Sequence, residues 1–358
     1  MTELKTTALY HTHENLKAKL VPFAGFKMPL NYSDIKTEVA AIRNKAGAFD
    51  VSHMGIVEIT GDKINEFIDH LITNNYSTLK NMKAVYSPII NEKGGIIDDL
   101  ICYKINQKNA YIVFNASNIE KDLNWMNQVN QDFNNQINFI SDQTGLLAVQ
   151  GPEAFDILIK EFNFPTEIKD LPPFSLQEIT FEGETLLLAT TGYTGEKGCE
   201  LFVPNNIIAD FFAKLVEFGV TPCGLAARDV LRLEVAYPLY GNDLTINHNP
   251  YECGLAWTVK LKKENFLGKT AIENKKTKVK LKKFVLDKKS IPRQGYKVLN
   301  ENDREIGVVS SGTFSPTIEK GIAMAHIETV AISETENYYI QIRNKKVQAT
   351  EITGNFLD

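Results

Sequence analysis

Apolar residues recur at helical spacing in several stretches of the chain. Ile35, Val39 and Ile42 line one face of a helix over about 34–45, with Ser33 available as its cap and Glu38 near the first turn. Ile64, Phe67, Ile68, Leu71 and Ile72 make a second stripe within 62–73. Asn118 can cap a helix over 119–129, and Pro152 stands where the start of a helix over 153–162 tolerates it. A helix over 206–218 runs into Gly219, a natural stop. Between these lie short apolar or alternating runs that read as strands: 56–60, 96–103, 110–114, 146–149, 186–190 and 200–203. The mixture predicts an α+β protein. Beyond about residue 275 the helical stripes give way to short strands at 298–299, 306–310, 321–327 and 338–342, which predict a small C-terminal β-domain.

Composition narrows the picture. At 358 residues and 43% hydrophobic, the chain is long enough for two or three domains with buried cores. A net charge of −5 argues against nucleic acid as the main partner, since counterion release needs a strongly basic surface. No apolar run approaches the roughly 18 residues of a membrane span. The first residues lack a signal core and the Arg-rich character of a transit peptide, so a cytoplasmic setting is expected. Cys102, Cys199, Cys223 and Cys253 form no Cys-x-x-Cys, and the six histidines are scattered, His11-x-His13 being a weak pair. No metal site is expected on that basis. Without Gly-x-Gly-x-x-Gly or a Walker loop, no nucleotide is expected either. Ser52 and His53 are neighbours in sequence and cannot form a triad, whose members meet in space. One local excess stands out: twelve lysines against three acids over 260–289, either a solvated face or a docking surface for an acidic macromolecule.

Three segments carry candidate chemistry. In Gly94-Gly-Ile-Ile-Asp-Asp-Leu-Ile-Cys-Tyr103, two glycines make a turn and a strand follows. Alternation sets Asp99 with Ile97, Ile101 and Tyr103 on one face, and Asp98 with Ile96, Leu100 and Cys102 on the other. The aspartates point apart and cannot act as a dyad. An inward-facing carboxylate among apolar neighbours needs a partner or a function; a turn aspartate meeting backbone donors is the plainer alternative. In Thr191-Gly-Tyr-Thr-Gly-Glu-Lys-Gly-Cys-Glu200, three glycines permit an unusual backbone, and alternation aims Glu200 opposite to Leu201. A carboxylate there can accept paired hydrogen bonds from an amidine-like ring edge such as a pterin offers, unless the segment is an ordinary hairpin. Finally, Arg228 and Arg232 are four apart on a helix whose Leu225, Leu231 and Val235 suit a core. They suggest anion recognition, or a structural ion pair with Asp229 or Glu234.

Taken together, these segments resemble the aminomethyltransferase (T-protein) family of the glycine cleavage system over essentially the whole chain. Further motifs carry the resemblance: Phe23-Ala-Gly-Phe-Lys-Met-Pro29, Phe49-Asp-Val-Ser-His-Met-Gly55, Phe114-Asn-Ala-Ser-Asn118, Gln150-Gly-Pro152, Asn249-Pro-Tyr-Glu-Cys-Gly-Leu-Ala-Trp257 and Ser311-Gly-Thr-Phe-Ser-Pro-Thr317, in order. The resemblance implies a three-lobed ring around a central folate hole. Its lobes would be 1–52 with 142–245, 53–141 with 246–278, and a barrel-like β-domain at 279–358. It implies transfer of the methylene carbon of an aminomethyl group, carried on the lipoyl arm of H-protein, to tetrahydrofolate, with release of ammonia and formation of 5,10-methylenetetrahydrofolate. Tetrahydrofolate is then a co-substrate, lipoylated H-protein the partner, and the chain alone a monomer; neither metal nor nucleotide is implied. Carried over residue by residue, Asp99 is the catalytic aspartate. Met54, Tyr86, Tyr103, Asn115, Tyr193, Glu200 and Arg228 bind the folate, and Arg293 lies near the entry of the lipoyl arm. Phe356 corresponds to a C-terminal aromatic of the family. Two rivals share the fold: a tetrahydrofolate-dependent demethylase of small methylated amines or sulfonium compounds, and a folate-binding iron–sulfur maintenance factor. The hallmark Lys-Gly-Cys-x-x-Gly-Gln-Glu of the second is absent, because Glu200 follows Lys197-Gly-Cys199 directly.

Overall fold

The computed structural model describes residues 3–273, 275–287 and 289–358; Met1 and Thr2 of the N-terminal reading and Lys288 of the lysine run lie outside them. The chain forms two compact units and passes between them more than once. One unit comprises the residues up to Ile68, Asn75–Tyr86 and Leu100–Asp229; the other comprises Asp69–Asn74, Ser87–Asp99 and Val230–Asp358. The chain changes unit after Ile68, Asn74, Tyr86, Asp99 and Asp229.

In the first unit a six-stranded sheet runs in the order Leu176–Phe181, Glu184–Ala189, Gly198–Pro204, Thr144–Gln150, Gly47–Asp50, Thr221–Pro222. Its pairings are antiparallel except the last, which is parallel. Two amphipathic helices cover one face. Ala154–Phe162 buries Ala154, Leu158 and Phe162, and Ile208–Glu217 buries Ile208, Phe211, Phe212 and Leu215. They pack with Leu147, Val149, Leu186, Leu188, Leu201 and Val203 of the sheet. Phe162 and Phe211 meet at 4.7 Å between ring centroids. A second sheet is ordered Lys83–Ile90, Ile96–Lys104, Asn109–Phe114, Gly55–Thr60, Gln136–Phe139, and its first two strands run from one unit into the other.

Two caps differ from expectation. Helix Ile35–Asn44 is capped by Asp34, not Ser33: the Asp34 carboxylate accepts from the Thr37 backbone N–H, a charge-assisted bond at the helix start. Glu38 reaches back to the backbone N–H groups of Tyr32 and Ser33 and also accepts from Gly224. Asn118 does precede helix Ile119–Asn130, yet its side chain makes no capping bond.

The second unit is organised by a closed barrel, Val279–Leu286, Lys320–Glu328, Glu305–Ser315, Lys297–Leu299, Tyr338–Ile342, Lys345–Ile352. Phe284, Val298, Ile306, Val309, Ala325, Ile327, Ile340 and Val347 are among the residues filling it. Arg232, 1% exposed, donates to Asp243 (2.8 Å), to Ser311 Oγ (2.9 Å) and to the Tyr237 carbonyl. Of the two readings of Arg232, the structural ion pair holds, and Asp243 is a carboxylate partner that the local sequence did not suggest. Phe356 is buried against Leu233, Ile322 and Met324.

Candidate active site

Strand Gly198–Pro204 sends Cys199, Leu201 and Val203 into the core of the first unit, which leaves Glu200 and Phe202 for its other face. Glu200 is 7% exposed. Thr191 Oγ1 donates to its Oε2 at 2.5 Å, and the Tyr103 hydroxyl makes a long bond of 3.5 Å to the same oxygen. The Tyr103 ring stands edge-on to Phe202 at 5.2 Å. Burial, reinforced by the Glu200 charge, pushes the Tyr103 hydroxyl well above its usual range, so it remains a donor at neutral pH. Among the described residues nothing donates to Glu200 Oε1.

The segment from Thr191 to Gly198 is held by side chains outside it. Gln150 Nε2 donates to the carbonyls of Thr191 (3.2 Å) and Cys199 (3.1 Å), while Gln150 Oε1 accepts from Thr194 Oγ1. Arg43 donates to the Thr194 carbonyl and to Glu196. A side chain at Gly192 would collide with this clamp, its Cβ falling 2.1 Å from Gln150 Oε1. Tyr193 projects from this segment, and the Arg228 guanidinium lies 4.9 Å from its ring centroid. Arg228 Nη1 is buried and makes no hydrogen bond to any described residue. Burial lowers the Arg228 pKa, while Glu200 and Tyr193 oppose the shift; a guanidinium remains charged regardless.

The other expected folate residues of this unit are half-buried. Met54 follows His53 at the entry to strand Gly55–Thr60, Tyr86 is on strand Lys83–Ile90, and Asn115 precedes the short turn of 3₁₀ helix Ala116–Asn118. His53 was not foreseen as a site residue. It is 3% exposed, its ring meets Phe23 edge-on at 5.5 Å, and its Nδ1 is buried without a hydrogen-bond partner among the described residues. Burial brings its pKa down to about 4, with Asp50 opposing and Arg228 adding to the shift. Thr191 and Gln150 complete what sequence alone did not assign, because their roles rest on side-chain geometry rather than residue type.

Asp99 and Arg293 belong to the second unit. Along strand Ile96–Lys104 every even-numbered side chain is buried, Asp98 fully, whereas Asp99 and Ile101 are only half-buried. Asp99 thus occupies the less covered face of its strand. Arg293 is exposed, with a long bond (3.5 Å) to the Gly312 carbonyl.

Residues 9–263 match the GCVT N-terminal domain, and residues 280–358 match the glycine cleavage T-protein C-terminal barrel domain. The chain is 43% identical over 350 residues to an aminomethyltransferase of Thermosipho melanesiensis, covering 97% of this chain and 95% of that protein. It is 40% identical over 362 residues to an aminomethyltransferase of Staphylococcus epidermidis, covering 100% and 99%. Among solved structures it is similar to the glycine cleavage system aminomethyltransferase T from Bartonella henselae, with a TM-score of 0.91, 31% identity, and coverage of 98% of this chain and 97% of that one.

Proposed function

The chain belongs to the glycine cleavage T-protein family of aminomethyltransferases, and from that premise we propose that it moves the methylene carbon of an aminomethyl group from the lipoyl arm of H-protein to tetrahydrofolate, releasing ammonia and forming 5,10-methylenetetrahydrofolate. The observation that carries the folate half is a mismatch left inside the first unit. Glu200 offers an acceptor oxygen that no described residue fills, and Arg228 offers a buried donor that none accepts. A ring edge with donors and an acceptor side by side, as in the aminopyrimidinone of a pterin, satisfies both groups at once. Tyr193 and Tyr103 give such a flat ring apolar contact, and Met54, Tyr86 and Asn115 line its surroundings.

In this reading Thr191 and Tyr103 occupy Glu200 Oε2 and thereby aim Oε1 at the ligand. Asp99 stabilises the positive charge that develops as the carbon passes to the pterin nitrogen, and orients that nitrogen for attack. Arg293 lies toward the arm of the partner protein.

Replacing Glu200 by Ala weakens tetrahydrofolate binding by about 1–3 kcal/mol through the lost paired hydrogen bonds, read by calorimetry on the full chain. Unchanged affinity would move the pterin edge elsewhere. Methylene formation from aminomethyl-loaded H-protein, with no turnover of free methylated amines, separates this reaction from that of a demethylase.

A further inference from the structure

Two of the scattered histidines meet in the second unit. His248, on the loop leading toward the barrel, stacks on His326 of strand Lys320–Glu328, with ring centroids 4.0 Å apart and planes 14° from parallel. Cys253 completes a group in which one ring nitrogen of each histidine and the Cys253 sulfur lie within 4.8 Å of one another. We propose that His248, Cys253 and His326 bind a borderline transition-metal ion of the Zn²⁺ class, as three of the four corners of a tetrahedron.

The protonation pattern supports a ligand set. His326 Nε2 lies 3.0 Å from the Asp243 carbonyl, which can only accept, so Nε2 carries the proton and Nδ1 presents a lone pair. That Nδ1 is buried and has no hydrogen-bond partner among the described residues. An imidazole that donates one ring N–H to a backbone carbonyl and keeps the other nitrogen bare has the arrangement of a metal-ligating histidine with its supporting shell. A packing-only histidine would leave an unmatched buried acceptor, which proteins avoid. Thr245 Oγ1 similarly engages His248 Nδ1 at 3.0 Å.

The donor set selects the ion. Two imidazoles and a thiolate suit Zn²⁺ and its neighbours rather than Mg²⁺ or Ca²⁺, which take oxygen. Tetrahedral ligands at Zn–N and Zn–S lengths sit about 3.5 Å apart, and nearly parallel rings cannot aim their in-plane lone pairs at one ion, so closing the group requires the half-buried His248 to turn out of the stack on its loop. Cys253 Sγ now donates to the Asp243 carbonyl (3.2 Å). On metal binding the S–H bond breaks, its proton leaves to solvent, and the sulfur lone pair goes to the ion; the imidazole bond to the same carbonyl remains. His248 and His326 also line a cleft of about 630 Å³ with Asn242, Ser310, Glu305 and Glu328, whereas Cys253 is buried behind. The fourth position therefore opens on the cleft and takes water or a small ligand.

Calorimetric titration of the chelator-treated full chain with Zn²⁺ tests the proposal, with Co²⁺ as a spectroscopic probe. One equivalent binds, and Co²⁺ gives a thiolate-to-metal charge-transfer band. Cys253→Ser abolishes the band, Cys253→Ser and His326→Ala each weaken binding by at least about tenfold, and His11→Ala, at an exposed position outside the group, changes nothing. Absence of stoichiometric binding, or wild-type affinity in both ligand variants, overturns the proposal. If a variant fails to fold by circular dichroism, the Co²⁺ spectrum of the unaltered chain decides: a tetrahedral thiolate spectrum supports the site, and its absence overturns it.

Discussion

Glu200 sits where an ionised side chain loses most of its water, and such a group persists only when its oxygens are met by donors. Two donors meet one oxygen, and the other has no donor among the described residues; the carboxylate is half satisfied by its own fold. Asp99 is placed by a different rule. Strand alternation gives one of two neighbouring aspartates the closed face and the other the more open one, and the open face falls to Asp99. Removing its charge while keeping its shape therefore tests chemistry with little disturbance of packing. Asp99→Asn retains the melting temperature of the unaltered chain and lowers turnover at least about tenfold, or about 1.4 kcal/mol in barrier. Steady-state rates beside thermal unfolding check this, and wild-type turnover in a folded variant removes Asp99 from the chemistry. Strand period suffices to set Asp98 and Asp99 on opposite faces and Glu200 opposite Leu201; the choice of Asp99 over Asp98 comes only from the family resemblance. His53 and the unmatched nitrogen of Arg228 were not visible in sequence, since an orphaned atom is a property of the finished packing.

Elements with a strong local period were legible nearly to their ends. Strand Tyr338–Ile342 coincides with its alternating run, and Gly219, in the left-handed region at φ +87°, follows the last turn of the helix Ile208–Glu217. The hairpin of Lys19–Phe23 with Phe26–Asn31 was missed. Pro22 and Pro29 interrupt its ladder donors and read as loop, yet a sheet of only two strands tolerates proline on its edges. The segment from Thr191 to Glu200 was recognised for its glycines, but what shapes it is the Gln150 clamp. Gln150→Ala should then loosen Thr191 and Tyr193 together, without touching any expected folate residue. We expect tetrahydrofolate affinity to fall by about 1–2 kcal/mol while the rate at saturating folate stays within a few-fold; calorimetry and saturation kinetics read the two separately. An equal loss in the saturated rate would place Gln150 in the chemistry rather than in holding the loop.

At the scale of the whole molecule, linear reading recovers the α+β class and a small C-terminal β-domain, because both follow from local texture; its closure into a barrel was implied only by the family resemblance. The passage of the chain between units does not follow from local texture, since it depends on which strands pair over long separations. The same long-range assembly buries titratable groups that local sequence would leave solvated, and stability inherits their pH dependence. Asp50 is an instance: burial alone would raise its pKa, but hydrogen bonds from His13, Ser52 and Thr7 overcome that and hold it below the ordinary carboxylate range. Its stabilisation is present above that range and is lost as pH falls through the folded pKa. His53 acts over a higher window. Its pKa drops from 6.5 to about 4 on folding, so between those values the unfolded chain takes up a proton that the folded chain refuses. Stability is unaffected by His53 above pH 6.5, declines through the window, and loses nothing further from this group below about 4. At one unit of pKa per 1.36 kcal/mol, the loss at pH 4.5 relative to pH 7 is about 2–3 kcal/mol. His53→Gln keeps a hydrogen-bonding side chain without the titration. Urea unfolding at the two pH values should therefore show the unaltered chain losing about 2–3 kcal/mol more than the variant. Parallel losses would mean that the His53 ring gains a proton, or a partner for it, within the folded state.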